Sequence, residues 1–371
     1  MDIGVITEIK PHEARVAMNS GAVREARTRG HRVFVQAGAG AGAGIGDDQF
    51  AAAGATILPT AADVLDAATL LVHVKEPQPS EMAMLRPDHI LFTYLHLAAY
   101  PAVADGLLAS GCTAIAYETV ALPDGRLPLL HPMSVIAGRL SVQAGAQLLT
   151  SPAGGKGVLM AGYPGVPGAQ VVVLGCGSVG TAAIEVAVGL GAQVVAIDLD
   201  DRKLTAIEDR HPEVVTVHSN REAIERWVRP ADLVVGAVLV AGDRAPVVVT
   251  ADDIAALGPG SVVVDVAIDQ GGCIETSRET THDDPTFVVD DVVHYAVGNM
   301  PGAVPATATH ALSNATSGYV LALADGLVAA TVRHPELIGG IEVVDGRITN
   351  ESVAKALGHP AIEVAAVLAN N

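Results

Sequence analysis

Residues 170–198 read QVVVLGCGSVGTAAIEVAVGLGAQVVAID, and the order of residue types in that stretch decides the fold. An apolar run of strand length, Val171 to Leu174, meets Gly175-x-Gly177-x-x-Gly180, then a helix-like segment, then a second apolar run, Val194 to Ile197, closed by Asp198. Strand, tight turn, helix and strand make a βαβ unit. Its glycines have separate duties: one makes the turn, one lets the backbone approach a pyrophosphate, and one packs helix on strand, with the helix N-terminus facing the anion. A glycine pattern alone is weak evidence, whereas an acid about 20 residues on can accept from a ribose 2′-hydroxyl. An ordinary glycine turn would leave Asp198 without a role. Because a carboxylate there repels a 2′-phosphate, the expected cofactor is NAD rather than NADP.

The chain around this stretch has 371 residues, enough for two or three domains with their own cores. Its longest apolar stretches, such as Ala231 to Ala241, are interrupted before the roughly 18 to 20 residues a bilayer span needs. No membrane helix is expected. The start, MDIGVITEIKPHEARVAM, lacks a basic region leading into an apolar core, so the expected location is the cytoplasm. A formal charge of -19 makes the surface anionic and excludes nucleic acid as an expected partner. Cys112, Cys176 and Cys273 are few and far apart without CxxC spacing, which points to reduced thiols and no zinc site. Cys176 lies inside the glycine turn; if reachable, its reagents should compete with dinucleotide, and a small core-facing residue is the favoured reading.

Toward the N-terminus, Ile3 to Thr7, Gly21 to Arg29 and Val33 to Gln36 read as strand, helix and strand without a phosphate-binding glycine pattern. The run AGAGAGAGIG, residues 37–46, fits no strand-to-helix register and reads as a flexible connection. Further strand-like runs are Leu70 to Val74, Ile90 to Thr93 and Thr113 to Ala116, and past the glycine turn Leu233 to Val238 and Val262 to Val266. They alternate with helical segments. The expected architecture is α/β: two doubly wound, Rossmann-like parallel sheets with a cleft between them. Residues 129–305 form the NAD-binding domain; residues 1–128 and a helical, Ala-rich return from 306–371 form a discontinuous substrate or catalytic domain.

In doubly wound sheets ligands meet the carboxyl ends of strands, so polar residues that directly follow apolar runs are the candidates. Lys75 ends LLVHVKEP and offers a cation for a substrate carboxylate or carbonyl oxygen, or guards a strand end in solvent. His96 ends LFTYLHLA and can give or take a proton near neutrality, though a lone histidine is more often structural. Asp269, in SVVVDVAIDQGGC, could hold an ammonium or activate water, while Asp265 within the strand reads as a satisfied structural acid. Arg15 carries a planar fork suited to a carboxylate and equally to a surface ion pair. Asn299, in VGNMPGAVP, orients substrate or caps a turn. No HxxxH or clustered Asp pattern suggests a metal.

Nine blocks in order, GVITEIKPHEARVAMNSGAV, HVKEP, TYLHLA, AIAYETV, HPMSVIAGRL, GCGSVG, VVGAVLVAG, DVAIDQGGC and NMPGAVPATATHALSNAT, resemble the signature of the alanine dehydrogenase family. That family shares its fold with the nucleotide-binding part of proton-translocating transhydrogenases. The resemblance implies reversible oxidative deamination of L-alanine by NAD to pyruvate and ammonium, in a homo-hexamer. It implies that Arg15 and Lys75 bind substrate, that His96 is the acid/base and Asp269 the second catalytic acid, with Lys75 stabilising oxygen charge and Asn299 on the substrate side. Ser134, Gly175, Gly177, Ser178, Val179, Gly180, Asp198, Lys203, Val238, Leu239 and Ile268 fall on cofactor contacts. Ile6, Asn19-Ser20, Val135 and Ser317-Gly318 depart from the pattern without removing a proton donor, acceptor or cation. The rivals are a dehydrogenase for another amino acid or imine, and a transhydrogenase-like NAD(H)-binding module that does no catalysis.

Overall fold

Strands whose alternate residues are all apolar must be covered on both faces, and in the computed structural model they are. It describes residues 1–238 and 245–364. The chain divides into two compact units, one comprising Met1–Met133 with the chain from Val304 onward, the other Ser134–Ala303. The helix His131–Leu148 runs through the first division.

In the first unit the strands β1 (Asp2–Val5), β2 (Arg32–Gln36), β3 (Thr56–Leu58), β4 (Leu70–Val72), β5 (Ile90–Thr93) and β6 (Thr113–Ala116) lie parallel in the order β3-β2-β1-β4-β5-β6. β1 pairs with β2 on one side and β4 on the other, which makes its carboxyl end the point where strand order reverses. Helices Ser20–Thr28, Asp47–Ala52, Ala61–Ala67 and Pro101–Ser110 return between strands. Two of these starts carry side-chain caps. Asn19 accepts from the Ala22 amide, and Thr60 and Asp63 close a capping box.

The second unit repeats the plan with β7 (Gln170–Leu174), β8 (Gln193–Asp198), β9 (Val215–His218), β10 (Leu233–Gly236), β11 (Val262–Asp265), β12 (Thr286–Val289) and β13 (Val292–Tyr295), ordered β9-β8-β7-β10-β11-β13-β12. Val171 and Val173 join the core on one face of this sheet while Val172 and Leu174 join the core on the other. The order reverses between β7 and β10. Among the described strands of this sheet only β12, at the edge, is antiparallel.

Two expectations are corrected. From Val304 the chain is not wholly helical: after helix Pro305–Asp325 it forms a hairpin, β14 (Ile341–Val344) and β15 (Arg347–Ile348), whose first strand lies antiparallel on β6. Asp345 and Gly346 at φ 49° and 69° make its turn, as the dipeptide Asp-Gly does between apolar runs. Nor is residues 37–46 a loose connection. A Cβ at Gly42 would lie 2.6 Å from the Ala14 Cβ, so the short 3-10 turn Ala41–Ala43 packs directly against the residue before Arg15.

Candidate active site

At the reversal point of the first sheet, Arg15 follows β1, Lys75 follows β4 and His96 follows β5, placing the three at carboxyl ends of adjacent strands. Acids that sequence reasoning passed over hold them there. Glu8, beyond β1, accepts from the amides of Val74 at 2.7 Å and Lys75 at 3.2 Å, so its carboxylate ties the two strand ends together. The Lys75 carbonyl accepts from Thr93 Oγ1 at 2.8 Å and lies 2.7 Å from His73 Nδ1. Lys75 itself is buried.

Arg15 is 2 % exposed, and Glu13 grips its fork: Nε donates to Oε1 at 2.7 Å and Nη2 to Oε2, while Nη1 lies 3.1 Å from Met133 Sδ. Burial opposes the charge, yet hydrogen bonding and attraction from Glu13 outweigh it and hold the guanidinium above its ordinary range. Under Lys75, burial pushes Glu8 up to about 7 against the pull of His73. The same burial disfavours charge on His73, but Glu8 and Glu81 raise it to about 9.

His96 sits in the left-handed region at φ 50°, a conformation a non-glycine residue keeps only when its surroundings hold it. Glu118, past the end of β6, supplies that hold: it accepts from the His96 amide at 2.5 Å and from the Leu95 amide at 3.1 Å. The imidazole lies parallel to the Tyr94 ring and is 28 % exposed.

The second unit presents a different surface. Gly175 has φ 93°, and a Cβ there would come within 2.6 Å of the Ala237 carbonyl oxygen across the gap between β7 and β10. A Cβ at Gly180 would fall 1.7 Å from the Gly175 oxygen. Gly177 differs: its Cβ would meet nothing within 4 Å, so the backbone is open on that side. Gly177 opens helix Ser178–Gly189 without a side-chain cap, and a helix N-terminus is a favourable place for an anion. These residues fit a dinucleotide pyrophosphate. Asp198, at the end of β8, accepts from the Cys176 amide at 2.6 Å and the Asp200 amide at 2.8 Å, with Lys203 Nζ at 3.5 Å. Ser134 lies one turn before Gly138, where a Cβ would fall 2.1 Å from the Val179 oxygen; that close approach seats its helix against the glycine turn. Val238 follows β10 at the same crevice, and Leu239 lies outside the described residues.

Asp265, 1 % exposed, accepts from the amides of Ala267 at 3.1 Å, Cys273 at 3.1 Å and Ile274 at 3.1 Å. Burial raises it while those bonds pull it down, as befits an acid that shapes a turn. The turn is the 3-10 helix Val266–Gln270, which carries Ile268 and an exposed Asp269. Asp269 accepts from the Asn299 amide at 3.2 Å, with Asn299 left-handed at φ 57°. Cys176 is buried, and burial together with Asp198 pushes its thiol up to about 12, so it is inert rather than a reachable nucleophile. Among the described residues no cluster of three or more His, Cys, Asp or Glu could hold a metal ion, and no helix is long and apolar enough to cross a membrane.

The structure thus gathers Arg15, Lys75 and His96 in one unit and Ser134, the glycine turn, Asp198, Lys203, Val238, Ile268, Asp269 and Asn299 in the other. The residues missed are Glu8, Glu13, His73 and Glu118; Glu8, His73 and Glu118 do follow apolar runs, but nothing in the sequence says which strand end each one meets.

Comparison with known proteins adds an independent line. Residues 4–137 match the family described as alanine dehydrogenase/PNT, N-terminal domain, and residues 141–351 match its C-terminal domain. The chain is 51 % identical over 371 residues to an alanine dehydrogenase of Mycolicibacterium smegmatis, covering 100 % of both chains. A solved L-alanine dehydrogenase superposes with a TM-score of 0.93 at 48 % identity, over 96 % of this chain and 99 % of that one. A transhydrogenase from Sinorhizobium meliloti shares the fold, with a TM-score of 0.80 at 23 % identity over 95 % of this chain and all of that one.

Proposed function

The chain belongs to the alanine dehydrogenase/PNT family, and from that premise we infer that it is an NAD-dependent alanine dehydrogenase. It converts L-alanine, NAD+ and water to pyruvate, ammonium, NADH and a proton, and runs the reverse. One observation carries the reading: Lys75 and His96 leave neighbouring strands of one sheet in a chain that also holds a complete dinucleotide turn closed by Asp198.

NAD supplies the hydride acceptor. We assign its binding to the 129–305 domain: amides opening helix Ser178–Gly189 face the pyrophosphate, Asp198 accepts from the adenosine ribose, and Ser134, Lys203, Val238, Leu239 and Ile268 complete the contacts. Substrate belongs to the domain of residues 1–128 and 306–371. There Lys75 and Arg15 hold the carboxylate, a planar guanidinium fork being suited to that group. After hydride loss the substrate iminium takes up water; His96 removes a proton from that water and returns one to the departing ammonia, with Asp269 as second acid and Asn299 on the substrate side. Lys75 stabilises the oxygen charge as the carbinolamine collapses.

The three described cysteines are all free and buried, which suits a reducing compartment, and we place the enzyme in the cytoplasm as a homo-hexamer. Light scattering tests the hexamer. The function is tested by mixing protein, NAD and each of a panel of L-amino acids and following reduced nicotinamide. Alanine far above the rest is expected; equal rates with bulky amino acids would overturn the substrate.

A further inference from the structure

His96 stands on a backbone that no neighbouring glycine relaxes, and what holds it is a single carboxylate. Glu118 Oε1 accepts from the His96 amide at 2.5 Å and the Leu95 amide at 3.1 Å, and the same oxygen lies 3.6 Å from His96 Nδ1. Oε2 adds a second contact to Leu95 at 3.3 Å. Two consecutive amides aimed at one acceptor, with the ring nitrogen beside it, make main-chain conformation and ring orientation depend on the same side chain. We propose that Glu118 is the positioning residue of His96: its carboxylate fixes the left-handed backbone and faces Nδ1, leaving Nε2 to exchange the proton with substrate.

The surroundings support this. An acidic or carbonyl partner at one imidazole nitrogen sets the tautomer and so decides which nitrogen does the chemistry. Tyr94 packs its ring parallel to the imidazole, centroids 6.0 Å apart, and donates its hydroxyl to the Leu129 carbonyl at 2.6 Å, so the wall on that side is itself anchored. Behind Glu118 lies Glu342 on β14, 1 % exposed, with Oε1 accepting from Thr119 Oγ1 at 3.1 Å and Oε2 buried without a hydrogen-bond partner. Burial first, then the charge of Glu118, drives Glu342 well above the carboxylate range. Glu342 is thereby held toward its neutral form. The titratable groups facing Glu118 are thus His96, Tyr94 and Glu342.

The inference rests on His96 being the acid/base, so the test separates the two. In the full-length enzyme, Glu118→Gln keeps an oxygen for both amides and removes the charge; Glu118→Ala removes both. Expected is a kcat about tenfold down in Glu118→Gln and on the order of 10²-fold down in Glu118→Ala, within the range a misplaced acid/base loses, with KM for pyruvate and the NADH dissociation constant within about twofold of the parent. Glu342→Gln, which mimics a neutral carboxyl, should keep kcat within about twofold. Should Glu118→Gln fold and turn over like the parent while His96→Ala is inactive, the positioning role is wrong and the acid/base assignment survives. If His96→Ala itself is fully active, the underlying reading fails instead. A loss in Glu118→Gln confined to KM, or one accompanied by a fall in thermal midpoint that accounts for it, would also overturn the proposal, because a purely structural carboxylate would do that.

Discussion

The two sheets share one strand order around their reversal points, yet the crevices that result are opposites. In the second unit the crevice is made by taking side chains away: Gly175 and Gly180 let backbone pack where a Cβ would clash, Gly177 leaves its side open, and one carboxylate, Asp198, closes it. In the first it is made by crowding ionisable groups into the core, with Glu8, Glu13, Arg15, His73, Lys75 and Glu81 all buried around the ends of β1 and β4. Backbone topology puts ligands at the reversal point, and residue type decides which ligand. A pyrophosphate is recognised by aligned amides with nothing in the way. A small amino or keto acid needs charges aimed from several strands, each held by a counter-charge so that burial does not neutralise it.

If the labour is divided in this way, damage to one crevice should spare the function of the other. The largest effect belongs to His96→Ala, expected to lower kcat about 10²- to 10⁴-fold while NADH binding, read by its fluorescence, stays as in the parent. Next come two glycines that separate binding from folding. Gly177→Ala meets open space, so the thermal midpoint should hold while NADH affinity drops about 10- to 100-fold, the loss expected when contact to a charged group is blocked. Gly180→Ala, pressed on the Gly175 oxygen, should lose stability as well, by about 1–3 kcal/mol. A Gly177→Ala enzyme with unchanged NADH affinity would break the claim that this crevice works by absence.

Asp198→Ala should weaken NAD by about 10- to 100-fold and narrow the preference over NADP; an unchanged ratio of the two kcat/KM values would mean the ribose is read elsewhere. The crowded crevice has its own signature in pH. His73, raised to about 9 in the folded state, contributes stability that is complete below its unfolded value near 6.5 and is lost as pH rises through 9. Glu8, raised to about 7, acts with the same sign, favouring the folded state at low pH and losing that contribution between its unfolded value near 4.5 and 7. Thermal midpoints should therefore fall from pH 6.5 to 9, and His73→Gln should flatten that slope. The smallest effect is a silence. With its thiol pushed up to about 12, Cys176 should stay unmodified by thiol reagents near neutrality whether or not NAD is present, as mass spectrometry of the labelled protein would show.

The comparison also explains what the sequence made legible. The second crevice is local: glycine spacing, helix and acid fall within 170–198, so its chemistry could be read in one line. Lys75 and His96 of the first could be found because each ends an apolar run, and Arg15 because it lies in the loop after the first strand. The acids that hold them could not be read in the same way, since Glu8 meets the Lys75 amide and Glu118 the His96 amide only when strands far apart in the chain become neighbours. Ile90–Thr93 and Thr113–Ala116 were visible as strands because they are continuous apolar runs. Thr56–Leu58, Val215–His218 and Thr286–Val289 were not, being short, half-exposed edge strands with no run to see. The hairpin at Ile341–Ile348 had its Asp-Gly signal, overshadowed by the Ala-rich helix before it.

Separate crevices for substrate and dinucleotide are the core of this account, and the most direct measurement is an NADH titration of Lys75→Met, a change that removes the cation and keeps an unbranched apolar stem. The prediction is an NADH dissociation constant within about twofold of the parent alongside a loss of turnover of at least about 100-fold. A folded Lys75→Met enzyme whose NADH affinity falls in step with its turnover would contradict it.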